Sequence, residues 1–247
     1  MARIYLTGRV TIETDDGLVE PSAFPGRQGR LAFVRLAAEP RRIEREMLAD
    51  ILWPDALPDA WDGALSAIVS KLRRTLARAD LGAALEAADG CYELRLPPGS
   101  WIDLREAVNA IDRAEGDLRR GDTASAWSNA TVASAIFRRR FLPGEAGPWV
   151  EGMRRRLLDY ELRTHDVLAA VWIARGDPTT AMESARRAVD LAPFRETTHA
   201  RLMEVQLAAG NRAEAIRTYE ALRALLADTM GIEPGERVQA LYERAIA

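Results

Sequence analysis

The segment from Gly63 to Ala79 carries one lysine and three arginines but no acidic residue. Ammonium and guanidinium groups bind phosphates and guanine edges, and small side chains beside them let a helix approach base pairs closely. This combination predicts a surface that contacts DNA. The alternative interpretation is a basic face that is merely solvated. The candidate contact residues are Ser66, Ser70, Lys71, Arg73, Arg74 and Arg78.

These residues lie on a predicted helix, because apolar side chains recur at helical spacing between Trp61 and Arg78. Two shorter helical patterns precede it, at 28–38 and 44–53, and Pro54 ends the second. The apolar face of the third helix consists of Leu65, Ile68, Val69, Leu72 and Leu76. This face would pack on the core and leave the basic side in solvent.

Two β-hairpins are predicted to flank the three helices. The first joins strand patterns at 3–10 and 18–19 through Asp15-Asp16-Gly17. The second spans 85–96 around Asp89-Gly90, a dipeptide that favours a tight hairpin turn. The order of hairpin, three helices and hairpin predicts a winged helix.

The second hairpin would form the wing, and Arg95 is its candidate DNA contact. An arginine at this position can reach a minor-groove phosphate beside the reading helix. The carboxylates of Glu86, Asp89 and Glu93 oppose its charge. Most of the predicted DNA contact therefore falls on the third helix.

The region from 103 to 247 is rich in alanine and arginine and contains an internal repeat. Gly121-Asp122, Gly176-Asp177 and Gly210-Asn211 are each followed by an alanine five residues after the glycine. The last two glycines are 34 residues apart, which is the tetratricopeptide (TPR) period. Small residues let paired helices approach closely, and glycine turns the chain between them. The pattern predicts an all-α, TPR-like repeat domain.

The two regions meet at Pro97-Pro98-Gly99, which should end any regular element, and Asp103 is a predicted N-cap for the next helix. We therefore predict a winged-helix domain at 1–98 and a helical-repeat domain at 103–247. The fold class is mainly α with small β.

Composition narrows the class of protein without identifying it. The net charge is −3, and the first 100 residues contain 13 basic and 15 acidic residues. This balance favours the alternative of a protein-interaction scaffold whose winged helix no longer binds DNA.

The sequence also indicates where the protein is located. No apolar run approaches the ~20 residues of a membrane helix, the N-terminus lacks a signal-peptide core, and Cys91 is the single cysteine. We expect a cytoplasmic protein without a membrane partner.

Signatures of enzymes are absent from the sequence. It contains neither a phosphate-binding loop ending in Lys-Ser/Thr nor a dinucleotide fingerprint. His165 and His199 lie on different predicted helices without metal-ligand spacing. We expect no catalytic residue, no metal and no cofactor, although the concave side of the repeats remains a possible peptide or small-ligand surface.

Several motifs together resemble the Streptomyces antibiotic regulatory protein (SARP) family. They occur in the family's order and cover nearly the whole chain. In the first region they are residues 50–55 (DILWPD), 64–74 (ALSAIVSKLRR) and 90–94 (GCYEL). In the second region they are residues 192–196 (APFRE), 210–215 (GNRAEA), Tyr219 and 230–235 (MGIEPG).

The resemblance implies an OmpR-type winged helix joined to a TPR-like bacterial transcriptional activator domain. It implies a regulator, expected to be an activator, that binds direct DNA repeats near promoters. The protein would bind there either as a dimer or as two copies side by side. It also implies double-stranded DNA and RNA polymerase holoenzyme as partners. By position, Ser66, Ser70, Lys71, Arg73 and Arg74 would lie on or beside the recognition helix.

Overall fold

The computed structural model describes residues 1–15, 17–39 and 41–247. Asp16, in the predicted turn of the first hairpin, lies outside these residues. The described chain is mainly helical with small sheets, as predicted. Its strands are β1 (Arg3–Tyr5), β2 (Thr11–Thr14), β3 (Gly17–Val19), β4 (Ile43–Glu44), β5 (Leu85–Ala88), β6 (Cys91–Leu94) and β7 (Trp101–Ile102). Its α-helices are α1 (Gly26–Ala38), α2 (Arg45–Leu52), α3 (Trp61–Ala77), α4 (Asp103–Arg119), α5 (Thr123–Phe137), α6 (Pro148–Ala174), α7 (Pro178–Leu191), α8 (Glu196–Ala208), α9 (Arg212–Met230) and α10 (Glu236–Ile246).

The chain forms two compact units. The first comprises Met1–Ala107 together with Ile136–Arg156, and the second comprises Val108–Ala135 together with Leu157–Ala247. The segment 136–156 therefore belongs with the winged helix, whereas the sequence pattern had assigned it to the helical-repeat domain.

The first sheet has the order β3-β2-β1-β7, with β1 antiparallel to β2 and parallel to β7. Its register places Ile12 opposite Val19 and Ile4, and Ile4 opposite Ile102. All four side chains are buried, so they form a continuous apolar ladder across one face. The sequence predicted one hairpin between strands at 3–10 and 18–19. In the structure β1 ends at Tyr5, and β3 pairs instead with β2, which was not predicted. The sequence also missed β7, which has only two residues and a partner at the far end of the unit.

Helices α1, α2 and α3 begin and end within two residues of their predicted bounds. They meet in a core whose largest fully buried side chains include Phe33, Leu36, Leu48, Leu52, Leu65 and Leu72. The wing sheet has the order β4-β6-β5. Its turn is formed by Asp89 and Gly90, with φ of 52° and 73°, and this left-handed pair is what a tight type I′ hairpin requires.

Asp103 anchors the start of α4 to the first sheet. It is the first residue of the helix rather than the residue before it, and its carboxylate is fully buried. Its oxygens accept hydrogen bonds from the backbone N–H of Leu6 (2.9 Å) and Thr7 (3.1 Å) and from the Thr7 hydroxyl (2.7 Å). The predicted helix cap thus serves mainly as a tertiary contact.

The predicted repeat appears in the second unit as three equivalent turns. Gly121, Gly176 and Gly210 have φ of 78°, 77° and 75°, and the residue after each donates its N–H to the carbonyl five positions earlier. The alanines that follow, Ala126, Ala181 and Ala215, are completely buried. Each motif therefore forms the turn between two consecutive helices, and the buried alanine after it is the kind of small residue that lets paired helices approach closely.

The two histidines occupy packing positions in the second unit. Nε2 of His199 lies 2.8 Å from the carbonyl oxygen of Pro193, and His165 is partly buried on α6. Across the described ranges, no group of three or more His, Cys, Asp or Glu side chains has the arrangement of a metal site. No described helix is long and apolar enough to cross a membrane.

Candidate nucleic-acid interface

One face of α3 is buried and the opposite face carries most of the predicted contact residues. Leu65, Val69, Leu72 and Leu76 are buried against the core. Ser66, Ser70, Lys71, Arg74 and Arg78 are all exposed. Residues 66, 70, 74 and 78 follow one another at intervals of four, and Lys71 lies beside them, three residues before Arg74. These five exposed side chains form a single stripe along the helix.

Three basic side chains on this stripe are available to a ligand. Within the described ranges 1–15, 17–39 and 41–247, no carboxylate lies at ion-pair distance from Lys71, Arg74 or Arg78. Most other arginines of the first unit are paired, such as Arg42 with Asp89 (3.4 Å). The stripe is therefore a local concentration of uncompensated positive charge in a chain of net charge −3.

Arg73 is set apart from the stripe. Its side chain is partly buried, and Nε donates a 2.9 Å hydrogen bond to the carbonyl of Leu85 at the start of β5. The residue thus ties α3 to the wing sheet. Arg73 was predicted as a DNA contact because it is one of the basic residues of a segment without acidic residues, but its side chain turns towards the wing sheet and not into the stripe.

Arg95, at the end of β6, is exposed but paired. Its guanidinium lies 2.8 Å from Glu93 and 3.0 Å from Glu86. The hydrogen bond to Glu93 raises the pKa of Arg95, and the same bond lowers the pKa of Glu93. The wing therefore offers a phosphate less free positive charge than α3 does.

Arg45 and Asp62 lie beside the stripe and were not predicted from the sequence. Arg45 Nη2 donates to Asp62 Oδ1 and to Ser66 Oγ (3.0 Å), and Nη1 donates to the hydroxyl of Tyr92 (2.6 Å). The guanidinium also lies over the Tyr92 ring, 5.3 Å from its centre. Hydrogen bonding to Asp62 raises the pKa of Arg45. This Arg45 clamp connects the first turns of α2 and α3 with wing strand β6.

The position of Arg45 in the sequence indicates that this residue needs an acidic partner. A basic residue at the first position of a helix is disfavoured by the helix dipole, so such a residue needs a compensating partner. Asp62, in the first turn of α3, is the acid that supplies it.

The first unit is a winged helix-turn-helix and the second is a TPR-like helical repeat. The family model of the bacterial transcriptional activator domain matches residues 102–245. The chain belongs to this family, and its relatives are regulators of the SARP type, as the sequence motifs had indicated.

Similarity to characterised regulators extends over both units. The regulatory protein AfsR of Streptomyces coelicolor is 27% identical over 94% of this chain and 23% of its own length. The transcriptional regulatory protein EmbR of Mycobacterium tuberculosis is 25% identical over 94% of this chain and 60% of its own length. The chain thus spans less than two thirds of either relative.

A solved structure has the same fold. It is that of Mycobacterium tuberculosis EmbR in complex with a low-affinity phosphopeptide, with a TM-score of 0.88 and 23% sequence identity. The match covers 99% of this chain and 65% of that one. It supports the assignment of a winged helix followed by a helical-repeat region.

Proposed function

We propose that the chain binds double-stranded promoter DNA by placing α3 in the major groove, and that it activates transcription there. The observation that carries this proposal is the stripe of Lys71, Arg74 and Arg78, whose charges have no carboxylate partner within the described residues. Basic groups of this kind bind phosphates and release counterions, while Ser66 and Ser70 are small enough to admit base edges.

The roles of the other predicted residues follow from their contacts. Arg73 positions α3 against the wing through its bond to Leu85 and contributes little direct contact. Arg95 approaches DNA only if a phosphate competes with Glu86 and Glu93 for its guanidinium. The proposed interface is thus centred on the exposed side of one helix, with the wing in support.

The TPR-like unit is the proposed link to RNA polymerase holoenzyme. Stacked helical repeats commonly present extended protein-binding surfaces, and the family match in this region supports a role in activation. Two copies side by side on direct repeats would place two such surfaces at one promoter. This arrangement predicts that two chains bind a two-repeat site and one chain binds a single repeat.

Selection of binding sites from a random DNA pool tests the proposal. We expect the wild-type protein to enrich a defined sequence, and the triple variant Lys71→Ala/Arg74→Ala/Arg78→Ala to bind that sequence at least 100-fold more weakly. Arg244→Ala, which removes an exposed arginine from α10, is the matched control and should bind normally. Failure of the folded wild type to bind any DNA would favour the alternative, a protein-interaction scaffold.

A further inference from the structure

An acidic side chain lies at the end of α3 where a recognition helix meets base edges. Asp62 is in the first turn of α3, and its side chain is 65% exposed. Asp62 lies one helical turn before Ser66, so the two side chains are neighbours on the surface of α3 at the start of the stripe. In helix-turn-helix proteins the N-terminal residues of the recognition helix contact the bases. A carboxylate here would repel phosphates, so its presence on the DNA-facing side requires a compensating contact.

The Arg45 clamp fixes the orientation of this carboxylate. Arg45 binds Oδ1 of Asp62 through Nε (3.1 Å) and Nη2, and its own side chain is only 23% exposed. Bonds from the same guanidinium to Ser66 and Tyr92 prevent it from swinging away. Among the described residues, Oδ2 of Asp62 has no hydrogen-bond donor. One acceptor oxygen is therefore held at the exposed start of α3 and left open to a ligand.

We propose that Asp62 is a specificity-determining residue whose free carboxylate oxygen accepts a hydrogen bond from the exocyclic amino group of a cytosine. The inference rests on the proposed function, in which α3 reads the major groove. An ionised carboxylate only accepts hydrogen bonds, and cytosine N4 is a donor in that groove. Adenine also has an amino group, but its N7 acceptor lies beside that group and would repel the carboxylate. Guanine and thymine present acceptors at this edge and are excluded for the same reason.

Arg45 is the positioning residue for this contact. It keeps Asp62 from turning towards solvent, and its charge offsets the repulsion between the carboxylate and the DNA backbone. Tyr92 supplies the fixed point on the wing, because its side chain is buried. The cytosine preference should therefore depend on the shape of the guanidinium as well as on its charge.

Site selection with substituted proteins tests the assignment. The wild type should enrich a cytosine at one position of each half-site, and replacing that cytosine by thymine should weaken binding about tenfold. The Asp62→Ala variant should discriminate less than twofold between cytosine and thymine at that position. It should keep the wild-type base preferences at the other positions, which also shows that the variant is folded. Asp62→Asn should shift the preference to adenine, the base that an amide pairs with in the major groove. Asp80→Asn, a change at an exposed carboxylate after α3, is the control and should select the wild-type sequence.

The outcomes separate this inference from the proposed function. If the wild type enriches no sequence, the proposed function itself fails. If it enriches a sequence and Asp62→Ala retains the same preference at every position, the assignment of Asp62 is overturned. Arg45→Lys retains the charge but not the planar fork, so it should reduce the cytosine preference at least threefold without changing the salt dependence. An unchanged cytosine preference in Arg45→Lys would contradict the positioning role.

Discussion

Arg27 and Glu145 are 118 residues apart in the sequence, and Arg27 Nε donates a 2.5 Å hydrogen bond to a Glu145 carboxylate oxygen. Arg30 binds the other oxygen of Glu145 at 2.6 Å, and the Glu145 side chain is only 3% exposed. Two arginines of α1 thus neutralise a buried carboxylate from the segment 136–156. This relationship makes that segment part of the winged-helix unit.

Glu145→Gln should therefore destabilise the protein. Loss of the charge leaves two guanidinium groups without their counterion, and we expect the free energy of unfolding to fall by about 2 kcal/mol, because Arg27 remains partly solvated. Asp159→Asn is the control, since the Arg195–Asp159 pair is exposed on both sides. It should change the free energy by less than about 0.5 kcal/mol. Equal effects of the two substitutions in urea denaturation would contradict the structural role of Glu145.

Arg73 and Arg74 should behave differently although they are adjacent. Arg73→Ala removes the hydrogen bond to Leu85 and should lower the free energy of unfolding by about 1–2 kcal/mol. Arg74→Ala should leave stability within about 0.5 kcal/mol and weaken DNA binding instead. Thermal unfolding and DNA titration of both variants give the comparison. The reverse pattern would show that the two residues have been assigned to the wrong roles.

Stability should decline when the pH falls from about 6.5 to 4, partly because of His165. Burial and the nearby Arg187 lower the pKa of His165 from 6.5 to about 4. Between these values the unfolded imidazole binds a proton and the folded one does not, so acid favours unfolding by up to about 3 kcal/mol. Burial raises the pKa of Glu161, which acts in the opposite direction. The contribution of His165 is measured as the difference in unfolding free energy between the wild type and His165→Gln at several pH values. A difference that does not change with pH would contradict the contribution of His165.

The repeat turns depend on glycine in a way that helix interiors do not. Gly176 has φ of 77°, and Gly176→Ala should cost about 1–2 kcal/mol from backbone strain alone, since no atom lies near the added Cβ. Gly152 lies inside α6, where the nearest atom to an added Cβ is 3.9 Å away. Gly152→Ala should stabilise the protein by about 0.5–1 kcal/mol. Melting temperatures that move in the same direction would contradict this distinction.

Local patterns predicted the elements of this fold well. The bounds of α1 to α3 and the Asp89-Gly90 turn follow from apolar spacing and turn chemistry, which act within a few residues. The repeat was visible because Gly121, Gly176 and Gly210 have the same structural role in each copy. These features are encoded locally, so one sequence was sufficient to find them.

Contacts between distant residues were not predictable in the same way. The pairing of β1 with β7, the bond from Thr7 to Asp103 and the neutralisation of Glu145 each join positions about 100 residues apart. At the candidate interface, the stripe of Lys71, Arg74 and Arg78 was found from charge and spacing. The position of Arg45 at the start of α2 indicates that it needs an acidic partner. That the partners are Asp62 and Tyr92 depends on how α2, α3 and the wing pack together.

The salt dependence of DNA affinity tests the central claim most directly. Each phosphate contact contributes about 0.9 to the slope of log K against log salt, so the slope for the wild type should be steeper than that of the Lys71→Ala/Arg74→Ala/Arg78→Ala variant by about 2–3. Arg244→Ala should have the wild-type slope. We predict this difference for the sequence that the wild type selects. Identical slopes for wild type and triple variant would contradict the claim that α3 forms the DNA-binding surface.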